Sequence, residues 1–155
     1  MPKRWINDPA LVDSVAGSLM GAMAMFPKRM IHIDELVHQF GMPLSHISIL
    51  ILVAENDLSI SQLSARMGIA KPNITPLVDT LKERGLVERV RGGHDRRIVQ
   101  VHILPEGQAV VAQIRTAVAQ QLTRWPGNIS KANIQSLNQS LNSLIALMEQ
   151  MDQQE

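Results

Sequence analysis

The chain has 155 residues, with 15 lysines and arginines against 14 acidic residues, no cysteine, no tyrosine, two tryptophans and two phenylalanines. That is one domain's length, and its 45% apolar content can build a core, filled by aliphatic side chains and methionine. The missing cysteines exclude disulfides, thiolate metal sites and cysteine nucleophiles, and a basic block at residues 66–102 stands between near-neutral flanks.

At the N-terminus, Val15 to Phe26 forms an uncharged twelve-residue run. It is shorter than the roughly 20 residues of a membrane span, and Asp8 and Asp13 spoil the charge pattern of a secretory signal. The chain is therefore expected to be soluble and cytoplasmic, without membrane contact. From Val12, apolar residues recur at spacings of four and three (Ala16, Leu19, Met23, Phe26, Met30, Ile33, Val37), the seam of a helix that packs along another helix. Pro27 inside the seam predicts a kink or break, with helix on both sides, before Gly41-Met42-Pro43 ends the segment.

Ser45 to Glu55 predicts a helix buried on most sides. Ser59-Ile60-Ser61-Gln62 reads as a capping box opening a short helix that Gly68 closes. A second helix follows Ile69, with Ile74, Leu77, Val78 and Leu81 on its buried face and Gly85 at its end. Two short helices joined by a tight turn form a helix-turn-helix. Leu86 to Val90 and Ile98 to Ile103 alternate like strands around the arginine-rich tip Arg91-Gly92-Gly93-His94-Asp95-Arg96-Arg97. A hairpin placed after a recognition helix is a wing, whose tip can reach a minor groove while the helix enters the major groove. Near the C-terminus, Ile134, Leu137, Leu141, Leu144, Met148 and Met151 form a second seam, and Ser130 is placed to cap its helix.

The fold class expected is mainly α with a small β-hairpin wing. Residues 1–43 form an N-terminal helical dimerisation segment, residues 44–104 a winged helix-turn-helix, and residues 105–155 C-terminal dimerisation helices. Narrow apolar stripes at both ends suit a partner helix better than a globular surface, so a homodimer is expected.

The stretch Leu58 to Ile69, then Lys71-Pro72-Asn73-Ile74-Thr75-Pro76-Leu77-Val78-Asp79, Gly85-Leu86-Val87, Asp95-Arg96-Arg97 and Leu104-Pro105-Glu106-Gly107, resembles the multiple-antibiotic-resistance regulator (MarR) family of bacterial transcription factors. The resemblance covers about residues 44–107. It departs from the family at Ala70 and Leu104, where Ser or Thr often caps the helix; Pro72 and Pro105 suit the first turns that follow. The resemblance implies a DNA-binding repressor acting as a homodimer on a pseudo-palindromic site. It also implies a small aromatic or anionic effector, for which Met23, Phe26, Met30, Phe40 and Met42 are the candidate pocket residues.

Lys71, Asn73 and Thr75 fall at the helix end that reaches base edges, where Asn pairs with adenine and Lys with guanine or phosphate. Pro72 and Pro76 offer apolar contact to thymine methyls or sugars. In the wing, the resemblance implies that Asp95 braces an arginine while Arg96 or Arg97 enters the minor groove. Arg66, Lys82, Arg84, Arg89 and Arg91 read as solvated charges or phosphate contacts, and Asp79 as a surface residue or a helical ion-pair partner.

His32, Glu35 and His38 do not close a metal site by themselves, because the two histidines, six residues apart, point about 120° away from each other on a helix. No nucleophile-base motif or phosphate-binding glycine loop appears, so neither an enzyme nor a cofactor is expected. Two alternative readings fit the same residues: a winged helix used for protein contact, and a metal-responsive DNA-binding regulator.

Overall fold

The computed structural model describes residues 4–91 and 98–152. After a short 3-10 turn at Arg4–Asn7, the helices are α1 (Pro9–Arg29), α2 (Ile33–Phe40), α3 (Leu44–Glu55), α4 (Ile60–Met67), α5 (Lys71–Glu83), α6 (Pro105–Leu122) and α7 (Lys131–Asp152). Three strands, β1 (Leu58–Ser59), β2 (Val87–Arg91) and β3 (Val99–Ile103), form an antiparallel sheet in the order β1-β3-β2. The mainly helical class with a small wing sheet is as the sequence predicts, with one addition. β1 is a third strand, pairing Leu58 with Val101 and Ser59 with Gln100.

The core is built by the centre of the chain. Ile49, Leu50, Leu63, Ile74, Val78, Leu81 and Val101 are fully shielded, joined by Leu36 and Met42 from the α2 side and Ile114 and Ala117 from α6. The core thus draws on residues beyond 44–104 at both ends. Gly107, in the first turn of α6, lies against the β2 entrance. A Cβ there would overlap the Leu86 carbonyl oxygen and come 2.7 Å from Ile103 Cγ1, so glycine alone permits this approach. His46 is buried in α3, and desolvation, followed by the charge of Arg84, holds its pKa below the usual histidine value.

Local signals appear where they were expected. Ser59 and Gln62 close a reciprocal capping box, and Gly41, Gly68 and Gly85 adopt the left-handed conformation. Ser130 caps α7 by accepting the Asn133 N–H at 3.1 Å.

The break expected near Pro27, with helix on both sides, falls just beyond the proline. α1 runs through it to Arg29, with the Met30 N–H bonded to the Phe26 carbonyl, and the chain breaks at Met30–His32. Proline removes a single bond, the one to the Met23 carbonyl, and the helix passes through with one hydrogen bond fewer.

Neither terminal helix contributes a buried residue. In α1, Leu19, Met20 and Met23 are more than half exposed, as are Leu147 and Met151 in α7. α1 is also longer than the uncharged run within it. Its 21 residues are long and apolar enough to cross a membrane, with a mean hydropathy of 1.3 over 18 residues.

Candidate nucleic-acid interface

The two helices at the centre of the site are set by local chemistry. Ser59 Oγ accepts the Gln62 N–H at 3.2 Å while Gln62 Oε1 accepts the Ser59 N–H at 2.8 Å, which starts α4 at Ile60. At its far end Gly68, with φ of 63°, turns the chain so that Ile69 N–H bonds the Ser64 carbonyl at 3.2 Å. α5 then begins at Lys71 after Ala70, which supplies no side-chain cap. Its Ile74, Val78 and Leu81 enter the core, and this fixes which residues face outward.

Lys71, Pro72, Asn73 and Pro76 are exposed, and Thr75 is half-buried, its hydroxyl donating to the Lys71 carbonyl at 3.3 Å. The five residues read from the sequence thus occupy the first two turns of α5, and four of them lie open to a ligand. Helical N–H groups at an uncapped N-terminus carry partial positive charge, which favours an approaching anion such as phosphate. Pro76 does not break α5; the Thr80 hydroxyl donates to its carbonyl at 3.0 Å. Asp95, Arg96 and Arg97 lie outside the described residues.

Arg89 has a role that its sequence position does not reveal. From the middle of β2 its Nη2 pairs with Asp79 Oδ1 at 2.8 Å and donates to the Thr75 carbonyl at 3.4 Å. It ties β2 to α5, and its Nε is buried with no partner among the described residues. Asp79 accordingly pairs across elements rather than along its own helix. Beside the bridge, Thr75, Arg89, Arg91, Ile60 and Val99 line a groove of about 310 Å³ between helix and wing. Arg84 caps another junction, donating to the Gly41 carbonyl at 3.3 Å, while Arg66 Nε lies 3.3 Å from Asp152 Oδ2 of α7.

A second cavity, about 360 Å³ and mostly apolar, lies where the end of α1 meets α6 and α7. Phe26 and Met30 line it, together with Ile31, Val118, Leu122, Trp125, Ile134 and Leu137, which sequence reasoning missed. The other three candidate pocket residues sit elsewhere. Met42 is 4% exposed in the core, Phe40 packs against that core, and Met23 faces outward.

The histidine-glutamate cluster is dispersed: Glu35 Oε2 accepts from Arg124 Nη1 at 2.9 Å, and His32 and His38 are exposed. Among the described residues no group of three histidine, aspartate or glutamate side chains converges on a point where a metal ion could sit.

The MarR family model matches residues 40–98, which span the helix-turn-helix and enter the wing. The HTH-type transcriptional repressor YetL of Bacillus subtilis is 31% identical over 124 residues, 75% of this chain and 67% of that protein. An uncharacterized HTH-type transcriptional regulator of the same species, YsmB, is 34% identical over 83 residues, 53% of this chain and 57% of its own. The chain spans little more than half the length of several curated relatives it matches. Its fold is similar to that of CouR from Rhodococcus jostii, solved with p-coumaroyl-CoA, with a TM-score of 0.59 and 24% identity over 88% of this chain and 91% of that one. Taken with the capped helix-turn-helix and the wing behind it, the YetL likeness and the matched model show that this chain belongs to the MarR family of transcriptional regulators.

Proposed function

We infer that the protein is a ligand-responsive repressor that binds a pseudo-palindromic DNA operator as a homodimer in the cytoplasm. One observation carries the reading: the first two turns of α5 present Lys71, Pro72, Asn73 and Pro76 outward, on a helix braced to a basic wing through Arg89. Asn73 suits adenine and Lys71 suits guanine or phosphate, with the prolines packing on thymine methyls or sugars. Asp95, Arg96 and Arg97 belong to this reading as the wing tip, with an arginine in the minor groove.

The dimer is supported by the terminal helices. α1 and α7 expose apolar stripes at helix-packing spacing, and a chain that folded alone would leave them in water. Pairing through residues 1–43 and 105–155 covers them and accounts for the apolar character of α1 without a membrane. C2 symmetry then sets two copies of α5 about 10 base pairs apart along the duplex.

The effector reading is supported by the cavity beside Phe26, Met30 and Trp125. Its apolar wall suits an aromatic ring, and Gln135 and Asn138, which also line it, suit a polar substituent.

The test is selection of bound fragments from a random duplex pool, followed by anisotropy titration of the enriched duplex at two salt concentrations. Enrichment of a two-fold symmetric site is expected, with Arg96→Ala and Arg97→Ala flattening the salt dependence by about one unit for each phosphate no longer neutralised. A folded dimer that enriches nothing refutes the reading in favour of a protein partner.

A further inference from the structure

Gln121 is a buried amide near the end of α6, 4% exposed, and both ends of its side chain are held by one residue. Its Oε1 accepts the His32 N–H at 2.8 Å, and its Nε2 donates to the His32 carbonyl at 3.1 Å. His32 stands in the short link where α1 stops and α2 starts. One turn further along, Arg124 holds Glu35 of α2, so the link is fastened to α6 at two adjacent points.

Both partners of the amide adjoin the apolar cavity. Met30 and Ile31 immediately precede His32, and Val118, Leu122 and Trp125 flank Gln121; all five line the cavity. On its other side the link leads through Leu36 and Met42 into the core that carries α5.

We propose that Gln121 is the positioning residue that couples occupation of this cavity to the setting of the winged helix against the terminal helices. The inference rests on the effector reading given above. A guest wedged between Ile31 and the Val118–Leu122 face separates the two backbones that the amide spans. Hydrogen bonds near 3 Å weaken steeply when stretched, and a buried amide without its partners is costly, so the joint has a held state and a released state rather than a continuum. Release frees α2, and with it the angle at which α5 meets DNA.

The experiment uses the full chain and two changes. Gln121→Leu removes both bonds at similar volume; Gln121→Glu keeps the acceptor for the His32 N–H, loses the donor, and serves where the leucine variant fails to fold. The probe is 1-anilinonaphthalene-8-sulfonate, an aromatic anion, and its arrival in the cavity is read by energy transfer from Trp125 in a Trp5→Phe background. In the parent the probe is expected to weaken binding of the selected duplex tenfold or more. In the Gln121 variant the energy transfer persists while duplex affinities with and without probe agree within twofold. Equal weakening of parent and variant overturns the proposal and leaves the effector reading standing. Transfer without any effect on the parent, or no transfer at all, overturns the effector reading and the proposal with it.

Discussion

Asp79→Asn separates two roles for Asp79. As a brace, the Asp79–Arg89 pair holds α5 at a fixed angle to β2; as a solvated face, Asp79 is a negative charge near the phosphates. The side chains are 29% and 48% exposed, so solvent screening limits the pair to about 0.5–1 kcal/mol per subunit. A dimer on a symmetric site carries two such joints, and because the pair also forms in the free protein, losing both weakens binding by at most about 1–2 kcal/mol, a ceiling of roughly 5- to 30-fold in Kd. The bracing role predicts weaker binding of the selected duplex, with the slope of log K against log salt unchanged because the same phosphates stay neutralised. An anisotropy titration at several salt concentrations reads both quantities. Tighter binding by the amide variant refutes the brace, since removing a carboxylate from a merely solvated face strengthens the approach to DNA.

Leu19→Asp places a charge on the α1 seam where the parent side chain is 61% exposed within one chain; sedimentation should show a monomer at concentrations where the parent is a dimer, and a dimer unaffected by the change removes the seam. Gly107→Ala forces a methyl group into the Leu86 carbonyl and the Ile103 side chain; the overpacking should cost about 1–3 kcal/mol, read as a lower urea midpoint, and an unchanged midpoint contradicts the close approach. His46 has a depressed folded pKa, so the native state binds fewer protons than the unfolded chain and stability falls as pH drops below about 6.5. His46→Leu should flatten that acid-side loss in denaturant titrations, and a slope equal to the parent's excludes His46 as its source.

What could be read from the sequence was what neighbouring residues settle among themselves. The Ser59–Gln62 cap and the glycine turns at Gly68 and Gly85 each involve residues only a few positions apart. The face of α5 followed from the period that buries Ile74, Val78 and Leu81. β1 has no signature in the sequence because two residues show no alternation, and Ser59 serves as a helix cap as well as a strand residue. The Arg89–Asp79 brace joins a strand to a helix, and the Gln121–His32 clamp joins residues 89 apart. Residue type alone also misplaced part of the pocket. Methionine and phenylalanine fill cores as well as cavities. Met42 follows Gly41, whose left-handed turn sends the next residue inward, and its N–H bonds the Val37 carbonyl at 3.3 Å.

The central claim, two copies of α5 reading two half-sites on one face of a duplex, is tested most directly by inserting five base pairs between the half-sites of the selected operator. Half a helical turn carries the second half-site to the opposite face of the DNA, out of reach of a rigid symmetric dimer. Affinity should fall to that of a duplex carrying a single half-site, and an insertion of a full turn should not restore it, because the second half-site then lies about 34 Å beyond the reach of a rigid dimer. Binding unchanged by the five-pair insertion contradicts the account, because each chain would then read its site alone.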